Sequence, residues 1–97
     1  MRDVEIPLPK KIDPRRVEAT IEAALALAGL SITLRGSLKK HPGCLHWHAK
    51  NGSRPGTLEV TYWPQEGRAW FTIQDGRAAQ WIEEAIPNVG KSVRKNL

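Results

Sequence analysis

Two histidines in the pattern His46-x-His48 carry the side chains best suited to bind a metal ion. Side chains alternate between the two faces of a β-strand, so a strand here would place both imidazoles on one face. Pairing with the next strand would set Glu59 opposite His48. Two imidazoles and a carboxylate suit Zn²⁺ with an open coordination position, and His41 is a conceivable fourth ligand. A hydrogen-bonded cross-strand pair explains the same residues, so the sequence alone assigns no metal and no cofactor.

Cys44 is the only cysteine of the chain, so an intramolecular disulfide is excluded. It shares the outward side with His46, which suggests a thiolate–imidazole pair, but residues two apart on a strand are separated by about 7 Å. The sequence has no phosphate-binding glycine pattern, no nucleophile elbow and no pair of catalytic carboxylates. We therefore expect a non-catalytic protein and assign no catalytic residue.

The segment from Leu45 to Gln74 is predicted to form three antiparallel strands, because inward apolar residues alternate with outward residues along it. The loops NGSRPG and PQEG would close the two hairpins. A slip of one residue would exchange the two faces, so the burial pattern strongly favours one register. The predicted cross-strand neighbours are His48 with Glu59 and Thr72, His46 with Thr61 and Trp70, Trp63 with Arg68, and Trp47 with Val60 and Phe71.

Amphipathic patterns on either side of these strands predict two helices. The first begins at Asp13-Pro14, where Asp is a good N-cap and Pro suits the first helical position, and it ends at Gly29. Residues 30–35 then alternate as a further strand. The second helix is expected to begin at Asp75 and to end or kink at Pro87.

The two ends of the chain are less regular. Residues 1–11 alternate in polarity, but Pro7 and Pro9 have no backbone N–H to donate, so this segment is predicted to be an edge strand or only an arm. Residues 88–97 form a basic tail, either a short helix or a frayed end.

The element order (β)-α-β-β-β-β-α predicts a single α+β domain spanning residues 1–97. Each helix has one apolar stripe and the strands share one apolar face. Both helices should therefore cover the same face of a four-stranded antiparallel sheet, as a two-layer sandwich. The opposite face is then expected to be open to solvent.

That open face would be unusual, because it carries the indoles of Trp63 and Trp70. Exposing an indole costs on the order of 2 kcal/mol relative to burying it. Aromatic rings stack on bases, and Arg or Lys side chains contact phosphates. We therefore predict a small module that binds RNA or single-stranded nucleic acid across this face, with the basic loop before the second strand extending the path. The expected nucleic-acid-binding residues are Arg35, Lys39, Lys40, His46, His48, Lys50, Trp63, Arg68 and Trp70.

Two other interpretations of the same face stay open. It is an interface with a protein partner or a second copy of the chain, or the indoles are covered by the N-terminal arm or C-terminal tail. Arg68 stacked on Trp63 would be a cation–π pair in the covered case.

Charge and composition agree with a polyanionic partner without requiring one. The net charge is +5 and the sequence pI is about 9.8, which favours nucleic acid or an acidic protein surface. The N-terminus has no apolar signal region and no run approaches membrane-spanning length, so we expect a soluble cytoplasmic protein with no membrane association.

Overall fold

The computed structural model describes residues 1–97 as an α+β fold with a five-stranded antiparallel sheet. Short 3₁₀ turns over 64–66 and 75–77 flank the fifth strand. Neither helix has the length and apolar composition needed to cross a lipid bilayer. The elements in chain order are β1 (Arg2–Ile6), α1 (Pro14–Leu27), β2 (Ser31–Gly36), β3 (Leu45–Lys50), β4 (Leu58–Trp63), β5 (Arg68–Ile73) and α2 (Gln80–Lys95).

The sheet order is β1-β5-β4-β3-β2. The register predicted for β3, β4 and β5 is confirmed, with His48 opposite Glu59 and Trp63 opposite Arg68. The prediction of four strands is wrong by one, because β1 pairs with β5 along its whole length. Pro7 and Pro9 lie beyond the last paired residue, Ile6, so they do not interrupt the ladder.

Both helices pack on one face of the sheet, as predicted. Their apolar stripes and the inward residues of the strands form one cluster of 20 buried side chains. At its centre Val60 lies between Trp47 and Phe71, and all three are almost fully buried. Because apolar burial is the main favourable term in folding, this inner face holds the fold together.

Helix α1 begins and ends where the sequence predicts. The Asp13 side chain accepts a hydrogen bond from the backbone N–H of Arg15 at 3.0 Å, and Pro14 occupies the first helical position. Gly29 has a φ of +79°, and the N–H of Leu30 donates to the carbonyl of Leu25 at 3.0 Å. This left-handed glycine satisfies the last turn and redirects the chain into β2.

Helix α2 differs from the prediction at both ends. Asp75 opens the short 3₁₀ turn rather than capping the helix, which begins five residues later at Gln80. Pro87 lies inside the helix without ending it, and the tail continues as helix to Lys95. The buried side chains of Ile82 and Val89, on either side of Pro87, account for this, since their burial offsets the roughly 3 kcal/mol cost of an internal proline.

Candidate functional site

The face of the sheet turned away from the helices, here called the outer face, carries the polar residues of the strands. Cross-strand pairing puts Asp3, Thr72, Glu59 and His48 in one row across the sheet. Antiparallel partners point to the same side, so these side chains are neighbours. The adjacent row contains Glu5, Trp70, Thr61 and His46.

The expectation that this face is open to solvent is wrong over its centre. Trp70 keeps only 6% of its surface exposed, and Thr61, Glu59 and His46 are buried as well. Trp63 is partly buried. The Arg68 guanidinium, paired with Glu5 of β1, lies over the Trp70 ring and provides part of this cover.

The segment 37–44 between β2 and β3, here called the covering loop, also covers the indoles. The ring of His41 packs against Trp63 and Trp70, with centroid separations of 4.5 and 5.1 Å. The indole N–H of Trp63 donates to the carbonyl of Pro42 at 2.9 Å. The basic loop predicted to extend the binding path therefore folds back over the indoles it was expected to accompany.

Two backbone features hold this loop in place. The Cys44 thiol accepts a hydrogen bond from the N–H of Leu38 at 3.2 Å, so it does not form the imidazole pair that its position suggested. Gly43 has a φ of +82°, and a Cβ built there would lie 1.9 Å from the Gln65 side chain. The Gln65 side chain can move aside, so it is the left-handed backbone conformation that favours glycine at this position.

A β-bulge removes Arg35 from the outer face. The register between β2 and β3 shifts between Ile32 and Leu34, so Leu34 lies opposite His48 and Arg35 lies opposite Trp47. Arg35 therefore points to the helix side, where its Nε donates to Glu22 at 2.7 Å. The alternation of residues 30–35 predicted the reverse, because one extra residue exchanges the two faces.

Glu22 joins this ion pair to the core, because it also accepts the indole N–H of Trp47 at 2.8 Å. Burial would raise the pKa of Glu22, but the hydrogen bonds from Arg35 and Trp47, with the charge of Arg35, together lower it. Arg35 is thus part of the fold rather than of the outer face.

Arg68 lies on the outer face, as predicted, but its charge is matched. Its guanidinium forms an ion pair with Glu5 and lies 4.8 Å from the centroid of the Trp70 ring. The predicted cation–π partner was Trp63. The difference arises because β1 brings Glu5 beside Trp70 and holds the guanidinium there.

Three predicted cations remain without a carboxylate partner. Lys39 and Lys40 are exposed on the covering loop, and Lys50 is half-buried at the end of β3 on the same side as His48. No ion pair of the protein includes a lysine. The unmatched positive charge of this face thus lies on the covering loop and at the end of β3, and Lys40 lines a pocket together with Asp3 of β1.

The predicted cluster of His46, His48 and Glu59 is confirmed as a set of neighbours. The Nε2 atom of His46 lies 3.3 Å from a Glu59 carboxylate oxygen, and Nε2 of His48 lies 3.8 Å from the same oxygen. The ligand atoms of all three residues lie within 4.8 Å of one another. The structure places His41 on the two indoles and not in this cluster.

A buried partner, Thr61, and an exposed one, Arg77, adjoin the cluster. Nδ1 of His46 is 2.9 Å from the Thr61 hydroxyl, and Arg77 approaches the second Glu59 oxygen at 3.7 Å. Burial lowers the pKa of His46, and the nearby His48 adds to this effect, while the Glu59 carboxylate opposes it. Buried ionisable groups with specific charge partners are typical of functional sites, although ion pairs within a fold show the same perturbation.

An open groove and a smaller pocket adjoin the cluster. The groove measures about 570 Å³ and the pocket about 160 Å³, and His46 and Glu59 contribute to both walls. Leu38 of the covering loop also contributes to both, so the loop separates the two spaces. The groove side is completed by Leu34, Ser37, His48, Gln74 and Arg77.

Two contributors were missed in the sequence. The predicted register already placed Thr61 opposite His46, so the hydrogen bond between them could have been predicted from the sequence. The contact of Arg77 with Glu59 could not have been predicted, because it depends on the 3₁₀ turn after β5, which directs Arg77 back towards Glu59.

In comparisons with known proteins, the chain matches no protein-family model, no curated protein and no solved structure.

Proposed function

We propose that the protein is a cytoplasmic, non-catalytic module that binds RNA or single-stranded nucleic acid on the outer face, along the covering loop and the end of β3. The observation that carries the proposal is the unmatched charge of Lys39, Lys40 and Lys50, beside arginines that are neutralised within the fold. Cations without a carboxylate partner are free to replace the counterions of a phosphate backbone.

Fewer indoles of the outer face are accessible than the sequence suggested. His41 and Arg68 both pack on the ring of Trp70, which is buried, whereas Trp63 contacts His41 and Pro42 and is only partly buried. Trp63 is therefore the indole proposed to stack on a base, with the lysines contacting the flanking phosphates. His46 is buried, and His48 keeps 21% of its side chain exposed, so His48 is the histidine that a bound strand would reach.

Salt-dependent binding to a single-stranded RNA oligonucleotide tests this proposal. Three lysine–phosphate contacts give a logarithmic salt slope of about −2, and the double substitution Lys39→Ala, Lys40→Ala should reduce its magnitude by roughly 1.4. The matched control is Lys10→Ala, Lys11→Ala, which removes the same charge from the connection before α1.

Fluorescence anisotropy across a series of salt concentrations measures both quantities. If the two double variants reduce the affinity and the salt slope equally, net charge alone attracts the RNA. Absence of binding by the unaltered protein at low salt would refute the proposal.

A second candidate function is self-association through the β2 side of the same outer face. The observation that favours it is Leu34, which is 45% exposed on an edge strand whose outer backbone groups are unpaired within the sheet. Sedimentation equilibrium should then show a dimer that Leu34→Lys converts to a monomer. A monomeric unaltered protein at high concentration would exclude this candidate.

A further inference from the structure

The contacts of the Glu59 carboxylate are long for a buried charge. Its polar neighbours lie at 3.3 Å (His46), 3.7 Å (Arg77) and 3.8 Å (His48), while its side chain is only 8% exposed. Charge-assisted hydrogen bonds are usually about 2.7–2.9 Å long. A buried carboxylate is stabilised by a cation or strong donors beside it, and here the one cation, Arg77, and both imidazoles lie beyond the usual hydrogen-bond length.

Those distances fit an ion at the centre of the cluster. Zinc bonds to nitrogen and oxygen of about 2.0–2.1 Å place tetrahedral ligands roughly 3.4 Å apart. The measured separations from Glu59 to the two imidazoles, 3.3 and 3.8 Å, bracket that value. All three ligand atoms lie within 4.8 Å of one another, so side-chain rotations that bring the two imidazoles together would complete the shell.

The surroundings of the cluster also suit a metal ion. The Thr61 hydroxyl, at 2.9 Å from Nδ1 of His46, holds the ring so that Nε2 points towards Glu59. Such outer contacts orient metal-binding imidazoles and select their tautomer. The groove of about 570 Å³ leaves one side of the cluster open for water or another ligand.

We propose that His46, His48 and Glu59 bind a divalent transition-metal ion, with Zn²⁺ as the best match, through the two imidazole Nε2 atoms and the carboxylate. Imidazole nitrogen favours Zn²⁺ and its neighbours in the first transition row over Mg²⁺ and Ca²⁺. Three protein ligands with an open position are typical of zinc sites that bind water or a further ligand. This inference shares His48 with the nucleic-acid proposal but rests on a different observation, the geometry around Glu59 rather than the unmatched lysines.

Calorimetric titration of the chelator-treated full chain with Zn²⁺ tests the site. We expect one ion per chain with micromolar or tighter affinity, and tetrahedral Co²⁺ absorption in the visible range on substitution. His48→Gln should weaken Zn²⁺ binding at least 100-fold, since it removes a direct ligand. Thr61→Val should weaken it by roughly 10- to 100-fold, because it releases the ring of His46.

His41→Gln is the matched control, because His41 lies on the same face but outside the cluster. It should bind Zn²⁺ like the unaltered chain, and so should the Lys39→Ala, Lys40→Ala variant. Circular dichroism identifies any variant that does not fold, and Glu59→Gln then provides the second test of a direct ligand. The proposal fails if the unaltered protein does not bind Zn²⁺ at micromolar concentration, or if folded His48→Gln binds it equally well.

Discussion

The two faces of the sheet are both largely buried, but by different means. On the inner face, Trp47, Val60 and Phe71 are covered by two helices, and the Trp47 indole N–H is the one polar group among these three side chains that needs a partner, Glu22. On the outer face, Glu59 and Thr61 are covered by a single loop and need polar partners. The comparison shows that a second buried layer forms on the outer face with incomplete polar pairing. His46 and Thr61 are hydrogen-bonded, whereas the contacts of Glu59 are long and Nδ1 of His41 has no partner, and such buried groups are costly.

Neighbouring residues of β5 allow the two faces to be compared directly. Phe71→Ala on the inner face should lower the free energy of unfolding by about 3–5 kcal/mol, because it leaves a cavity in a closed core. Trp70→Ala on the outer face should lower it by about 2 kcal/mol, because the loop and Arg68 pack on its ring.

Urea unfolding of both variants measures these values. A face open to solvent would make Trp70→Ala nearly neutral, within about 0.5 kcal/mol, as is usual for surface substitutions. That outcome would show that the covering loop does not stay closed over the indole.

Exchanging a hydroxyl between the faces gives the next largest effect. Thr61→Val should destabilise by about 1–3 kcal/mol, because Nδ1 of His46 loses its partner. Val60→Thr should destabilise by a similar amount, because a hydroxyl enters the apolar core with no partner. Thermal and urea unfolding should therefore show that both variants are less stable than the unaltered protein. A stabilising Thr61→Val would mean that the outer face behaves as an apolar surface.

The smallest effect concerns the ion pair at the rim of the inner face. The pKa of Glu22 is lowered in the folded protein, so its contribution to stability is complete above the unfolded value near 4.5 and is lost as the pH falls through the folded value. The free energy of unfolding of Glu22→Gln should therefore fall less between neutral and acidic pH than that of the unaltered protein, with a difference below about 1 kcal/mol.

Urea unfolding at a series of pH values measures this slope. Glu18→Gln is the matched control, because Glu18 lies on the same helix and forms no ion pair. An identical acid profile for the two variants would contradict the assigned role of Glu22.

Local patterns predicted the elements that depend on local rules. The start of α1 at Asp13 and its end at Gly29 follow from capping chemistry. The pairing of His48 with Glu59 follows from alternation and short hairpin loops. The bulge between Ile32 and Leu34 escaped prediction, because an extra residue leaves no compositional mark among alternating side chains.

The sequence by itself determined the α+β class, the register of β3 to β5 and the cluster of His46, His48 and Glu59, because strand periodicity sets which side chains share a face. Only the tertiary structure decided that β1 completes the sheet, that Arg35 leaves the outer face and that residues 37–44 cover Trp70. These outcomes depend on contacts between segments distant in the chain. The position of a loop depends on the surface against which it packs, and the loop has no periodic pattern from which that position could be predicted.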